Sequence, residues 1–324
     1  MVNAMKLVFC GTPRFAVPSF EALRAAGHEI TLAVSQPDRP VGRAQQLTAP
    51  PVKQAALAVG VPIAQPEKIR SNAEFRAQLE AIAPDAIIVV AYGRLIPAWM
   101  LALPRLGCIN LHGSLLPRYR GAAPIQWAVA MGDAFTGNTT MLLEEGLDTG
   151  PILLQQTVEI APEQTAVDLF ESLAIAGAPL LVETLAGLND GSIKPQPQNH
   201  DFASFAPLLD RADGRMDFAR YSATELHNRW RGFQPWPGAF TALDGKKLIV
   251  HRLSAVEALP FPSPANTEPG RIHVEGQRIF AACAGNTWLE LIEIQLEGKK
   301  RMAASEFLRG NALAADMRLG SEKP

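Results

Sequence analysis

Lys6-Leu7-Val8-Phe9-Cys10-Gly11-Thr12-Pro13 carries a short apolar run into a glycine–proline break, the form of a buried strand entering a turn. Behind it an amphipathic pattern runs through Phe20, Leu23 and Ala26 to Gly27, a residue suited to closing a helix. Glu29–Ser35 is the second apolar run. Asp85–Ala91 is the third, preceded by a helix-like stretch at Asn72–Ile82, and Gly107–Leu111 is the fourth. Apolar runs separated by helical periods predict βαβ units, hence a Rossmann-like α/β fold: a mostly parallel sheet with helices on both faces. The first βα turn holds one glycine, Gly11. It is neither GxGxxG nor GxxxxGK[ST], so dinucleotide and P-loop phosphate binding have no warrant here.

The pattern changes along the chain. The βαβ period fades near residue 188, and a stretch at 189–206 rich in Asn, Gln and Pro reads as a linker. Beyond it one helix-like stretch (Ala223–Arg231) leads into five short, turn-bounded strand candidates: Ala239–Leu243, Lys247–Leu253, Gly270–Val274, Arg278–Ala282 and Trp288–Leu296. Short strands at that spacing predict a small β-barrel of the oligonucleotide-binding type. The expected organisation is a catalytic domain over 1–188, the linker, a barrel over 207–313 and a tail over 314–324.

The 324 residues, 48% hydrophobic and 19% charged, suit two globular domains. Three scattered cysteines (Cys10, Cys108, Cys283) exclude a disulfide framework and a zinc-ligand motif. With no signal-peptide pattern and no stretch of about 20 apolar residues, the expectation is a cytoplasmic protein without a membrane span. Net charge is −2; residues 1–206 carry 14 Lys and Arg against 18 Asp and Glu, the remainder 16 against 14. That balance does not announce a nucleic-acid partner.

Two stretches carry chemistry. In Cys108-Ile109-Asn110-Leu111-His112-Gly113-Ser114-Leu115-Leu116-Pro117, Asn110 and His112 are two apart, so at a strand end they project to one face. The carboxyl end of such strands is where open α/β sheets bind ligands, and an amide beside an imidazole suits a developing oxyanion. In Glu144-Glu145-Gly146-Leu147-Asp148-Thr149-Gly150, Asp148 lies in a glycine-flanked loop. Taken singly, the first is also what a satisfied polar pair looks like, and the second what a turn-forming aspartate looks like.

The run H-G-S-L-L-P-R-Y-R-G-A-A-P-I from His112, the L-D-T-G at Leu147 and the F-Q-P-W-P-G-A-F at Phe233 together resemble the 10-formyl-tetrahydrofolate-dependent formyltransferases, over nearly the whole chain. The resemblance implies Asn110, His112 and Asp148 as catalytic groups and 10-formyl-tetrahydrofolate as formyl donor, with no metal. Asn110 and a protonated His112 would stabilise the oxyanion while Asp148 supports the imidazolium and assists proton movement. The folate site carries over to Ser114, Leu115, Leu116 and Pro117, with Arg94, Leu95 and Ile96 as further walls.

The catalytic signature leaves the acceptor open between methionyl initiator tRNA and an amino-sugar nucleotide. Gln36–Lys53, a long loop punctuated by proline and glycine and carrying Arg39, Arg43 and Lys53, resembles the insertion by which tRNA-acting members enter the acceptor stem. It favours the methionyl amine of initiator tRNA, with Arg211 as a further contact in the second domain. Leu208 stands where the family usually has lysine. An NAD(P) oxidoreductase would need the missing glycines; a non-catalytic tRNA-binding protein would leave Asn110, His112 and Asp148 idle. A monomer is expected, since no exposed heptad seam is present.

Overall fold

The computed structural model describes residues 4–42, 45–262, 267–314 and 317–320. Arg43, one of the expected acceptor contacts, lies outside the described residues. The strands and helices in chain order are β1 (Lys6–Gly11), α1 (Val17–Ala25), β2 (Glu29–Val34), β3 (Arg39–Val41), β4 (Gln46–Thr48), α2 (Pro51–Ala58), β5 (Ile63–Ala64), α3 (Ala73–Ile82), β6 (Ala86–Val90), α4 (Ala98–Leu101), β7 (Cys108–His112), α5 (Pro124–Ala130), β8 (Phe135–Leu142), β9 (Ile152–Glu159) and α6 (Ala166–Asp190). They continue with α7 (Ala223–Gly232), β10 (Phe240–Leu243), β11 (Lys246–Val256), β12 (Ile272–Glu275), β13 (Arg278–Cys283), β14 (Thr287–Leu296), β15 (Met302–Ala303) and α8 (Ala304–Gly310). The chain forms two compact units: Met1–Pro124 with Phe135–Ile160 and Asp168–Pro207, and Ile125–Ala134 with Ala161–Val167 and Leu208–Pro324.

The first unit is built on a seven-stranded sheet of order β5-β2-β1-β6-β7-β8-β9. Its first five strands run parallel, as the apolar runs predict, and β8 and β9 are antiparallel additions. β6 and β7 are buried along their whole length, which is why they read as unbroken apolar runs. α3 is started by Asn72, whose Oδ1 accepts from the Phe75 N–H at 3.0 Å. It buries Phe75 and Leu79, one turn apart, in the core with Val8, Ile87 and Val89.

Two expectations need correction here. Gln36–Lys53 is not one open loop: β3 and β4 pair as a hairpin, and α2 begins at Pro51. The stretch at 189–206 is not a free linker, because it pairs through Gln196 with Ile152 and through Phe205 with Arg120. α6 is by length and composition apolar enough to cross a membrane, although Asp168, Glu171 and Glu183 interrupt its apolar run. Half of its apolar window is buried, with Leu169, Leu173, Leu181 and Leu185 in the interior, as in a core helix.

The second unit is an antiparallel sheet of order β10-β11-β14-β13-β12, with β15 on β14. Its core gathers Leu248, Val250, Leu291 and Ile294 with Leu226 of α7 and Phe307 of α8. Ser222 and Glu225 form a reciprocal capping box at the start of α7. The tail segment closes the barrel: the Leu319 N–H donates to Gly270 O (2.8 Å) and the Gly320 N–H to Ala242 O (2.9 Å), joining the two edges. Its pairing partners lie in β10 and just before β12, so the expected tail is in part a barrel element.

Candidate active site

Asn110 and His112 lie near and at the carboxyl end of β7, two residues apart and therefore on one face. His112 is 6% exposed. Its Nε2 is 2.9 Å from the Tyr119 carbonyl oxygen, which only accepts, so Nε2 carries the hydrogen and donates. That fixes the ring and turns Nδ1 toward Asp148, whose Oδ2 is 3.7 Å away. The gap is too long for a hydrogen bond and short enough for a strong charge contact with an imidazolium. Among the described residues no side chain or backbone group bonds the Asn110 amide, so its donors stay available.

Asp148 reaches this place by an indirect route. β8 runs antiparallel to β7, with Leu142 opposite Ile109, and the Leu143 N–H bonds Cys108 O at the amino end of β7. The following loop returns along β7 until Asp148 meets His112. Asp148 holds φ +52°, a left-handed conformation that aspartate tolerates better than most residues. The Gly121 N–H donates to its Oδ2 at 2.9 Å. Gly121 itself is required: at φ +124° a Cβ there would lie 2.6 Å from the Ala206 carbonyl oxygen.

The turn after His112 is cinched from beneath. Ser114 Oγ donates to Arg118 O (2.6 Å), and Thr139 Oγ1 donates to Ser114 O (2.6 Å) while accepting from the Leu116 N–H (3.1 Å). Gln155 Nε2 donates to Leu116 O at 2.9 Å. Leu116 is buried, while Leu115 and Pro117 are half-buried. Arg94, Leu95 and Ile96 follow β6. The Arg94 guanidinium is engaged by Gln36 Oε1 (3.0 Å) and the Glu67 carbonyl, Ile96 packs into the core, and Leu95 is 86% exposed.

Also at the carboxyl edge lies a cleft of about 410 Å³ lined by Thr12, Gln36, Pro37, Arg39, Pro50 and Gly93. Arg39 is exposed. Lys53 is not a free cation, because its Nζ is held by Asp38 (2.8 Å) and Gln65 (2.8 Å), which ties the hairpin base to α2. Hydrogen bonds from Lys53 and Gln65 hold the Asp38 carboxyl below the ordinary carboxylate range. In the second unit Arg211 is exposed at the start of a one-turn helix, and Leu208 is exposed.

Sequence reasoning missed the groups that fix the site: the Tyr119 carbonyl, Thr139, Gln155, Arg120 and Gln198. The first is a backbone atom, Arg120 lies inside the run from His112 without being singled out there, and Thr139, Gln155 and Gln198 sit at polar positions that no motif sets apart. The three thiols are buried, and burial pushes Cys108 and Cys283 up to about 12 and Cys10 well above its usual value, so none is a nucleophile.

Residues 5–185 match the formyl transferase family and residues 208–312 match its C-terminal domain. A methionyl-tRNA formyltransferase of Acidobacterium capsulatum is 63% identical over 98% of this chain and all of its own length. One of Koribacter versatilis is 58% identical over 94% of this chain and 96% of its own. Among solved structures, an N-formyltransferase from Helicobacter canadensis, in complex with folinic acid and dTDP-3-aminofucose, superposes with a TM-score of 0.64. It covers 89% of this chain and 98% of its own at 16% identity, a likeness of fold alone. Domain matches that together span most of the chain, and relatives this similar over their full length, lead to one conclusion: the chain belongs to the formyl transferase family and is similar there to enzymes named methionyl-tRNA formyltransferase.

Proposed function

We propose that this enzyme transfers the formyl group of 10-formyl-tetrahydrofolate to the α-amino group of methionyl initiator tRNA, for translation initiation. The observation that carries the chemistry is the group on β7: an unengaged amide at Asn110 beside an imidazole whose Nδ1 faces a carboxylate at 3.7 Å. As the amine attacks the formyl carbon, the new C–N bond forms and the carbonyl oxygen takes up the electron pair. Asn110 donates to that oxygen. The amine must shed a proton, and the folate nitrogen must gain one as its bond to carbon breaks. His112, carrying charge beside Asp148, handles that exchange. No covalent enzyme intermediate is needed.

The donor fits beside Ser114, Leu115, Leu116 and Pro117, where the turn is held rigid by Thr139 and Gln155. Arg94 is held inward, so at this wall the backbone and the exposed Leu95 side chain, with Ile96 behind them, meet the pterin. On the acceptor side the hairpin carries Arg39, with Lys53 fixing its base, and Arg43 and Arg211 are further tRNA contacts in this reading. The cleft behind Arg39 suits the end of a nucleic-acid chain, apolar prolines meeting a base and the guanidinium a phosphate. A cytoplasmic monomer remains part of the proposal, on the absence of a heptad seam in the sequence.

Arg39→Ala and Arg43→Ala test the acceptor. Each is expected to lower kcat/KM on methionyl-tRNA about 10- to 100-fold, from roughly 1–3 kcal/mol of charge-assisted contact, while slow hydrolysis of the formyl donor stays nearly intact. Wild-type use of methionyl-tRNA by both variants would remove the hairpin from the acceptor site and bring the amino-sugar nucleotide forward.

A further inference from the structure

Arg120 is 4% exposed and has no carboxylate within ion-pair reach among the described residues. A buried guanidinium without a counter-charge is costly, so its partners have a reason to be there. Its Nε (3.1 Å) and one terminal nitrogen (2.6 Å) both donate to Oε1 of Gln198; the other terminal nitrogen is 3.2 Å from His200 Nδ1. Gln198 is also buried, 6% exposed. With Oε1 clamped, its amide nitrogen points the other way and donates to Asp148 O (2.8 Å) and Gly150 O (2.7 Å). Two residues before it, Gln196 exchanges both backbone hydrogen bonds with Ile152 at 2.8 Å. Past it, Ser204 O accepts from the Arg120 N–H (2.8 Å), Ser204 Oγ accepts from the Tyr119 N–H (2.9 Å), and the Ala206 N–H donates to Arg120 O (2.8 Å).

Residues 196–206 are therefore a strap. It ties the loop that carries Asp148 to the loop whose Tyr119 carbonyl orients His112. We propose that Arg120 and Gln198 are positioning residues for formyl transfer: the buried guanidinium orients one glutamine amide, and that amide holds the Asp148 loop against the imidazole. Its two ends impose opposite demands. Toward Arg120 an acceptor is needed; toward Asp148 and Gly150 a donor is needed. Only an amide meets both. The inference rests on the reading of Asp148 as a catalytic group.

Gln198→Glu separates this role from a plain contribution to folding. A glutamate keeps the acceptor and gains an ion pair with Arg120, but turns a carboxylate oxygen on two carbonyls. Arg120→Met removes the buried charge, fills the space with an apolar chain and leaves Gln198 free to turn. For each variant, the melting temperature and the steady-state kinetics on methionyl-tRNA and the folate donor are measured, with Asp148→Asn alongside. The expected result for both is a melting temperature within a few degrees of wild type, with kcat down about 10- to 100-fold, the scale of a small displacement of a reacting group. KM for either substrate should move less than about threefold, since neither residue meets substrate. Wild-type kcat in either folded variant, or a loss of kcat matched by loss of the fold in both, would overturn the inference. If Gln198→Glu does not fold, Arg120→Met decides. An inactive Asp148→Asn beside fully active strap variants would refute the positioning role alone; a fully active Asp148→Asn would refute the catalytic reading beneath it.

Discussion

Asp148→Asn is the perturbation whose size follows most directly from the geometry. The carboxylate Oδ2 lies 3.7 Å from His112 Nδ1, and the Gly121 N–H donates to the same oxygen at 2.9 Å. Asparagine keeps the volume and offers one oxygen to Gly121, so the loop should stay in place. Its NH₂ then faces Nδ1. Because the other ring nitrogen already donates to Tyr119, Nδ1 is the lone pair of a neutral ring, and the new amide favours that neutral form. What is lost is the attraction between carboxylate and imidazolium. At 3.7 Å and an effective dielectric of about 20 that attraction is about 4 kcal/mol. The group is mostly shielded from solvent, so most of it should appear in the barrier, about 100- to 1,000-fold in kcat. Single-turnover formylation of methionyl-tRNA reads the chemical step, and thermal unfolding checks the fold. A folded variant whose single-turnover rate is within about threefold of wild type would refute the role given to Asp148.

Other consequences follow from particular residues. Gly121→Ala places a methyl 2.6 Å from Ala206 O at a φ of +124° that other residues avoid. It should cost roughly 1–3 kcal/mol of stability and also lower kcat, because the displaced N–H serves Asp148; unchanged unfolding and kinetics would contradict the packing. The three cysteines are buried and their thiols shifted upward, so a thiol reagent at pH 8 should label none in the native protein and all three after unfolding. Rapid native labelling would be the contrary result. Burial lowers the values of His28 and of His227, the latter partly offset by Glu163. A folded-state value below the unfolded one means the unfolded chain binds more protons, so stability is present above about pH 6.5 and lost as pH falls. Melting temperature should drop from pH 7 to 5.5, less steeply in His28→Gln; a flat profile would refute this.

The parallel half of the sheet was legible because β1, β2, β6 and β7 are buried on both faces and so read as unbroken apolar runs. β9 was not, because its burial alternates and its outward residues Gln155, Thr157 and Glu159 mask the strand. The hairpin of β3 and β4 was hidden by Pro40 and Gly42, residues that punctuate loops as readily as a three-residue strand pair. Asn110 and His112 stood out by their spacing on a strand. Asp148 was recognised only through its family motif, since its loop leaves β8 at the far end of β7 and doubles back. The strap was illegible for a physical reason. Its residues are polar because they satisfy buried partners, and composition alone cannot distinguish that from a solvated linker.

The most direct test incubates the purified protein with 10-formyl-tetrahydrofolate and either methionyl initiator tRNA or a dTDP-amino-sugar, and detects the formylated product by mass. N-formylmethionine on the tRNA, with the amino-sugar left unmodified, is the predicted result. Formylation of the sugar nucleotide with methionyl-tRNA untouched would contradict the account.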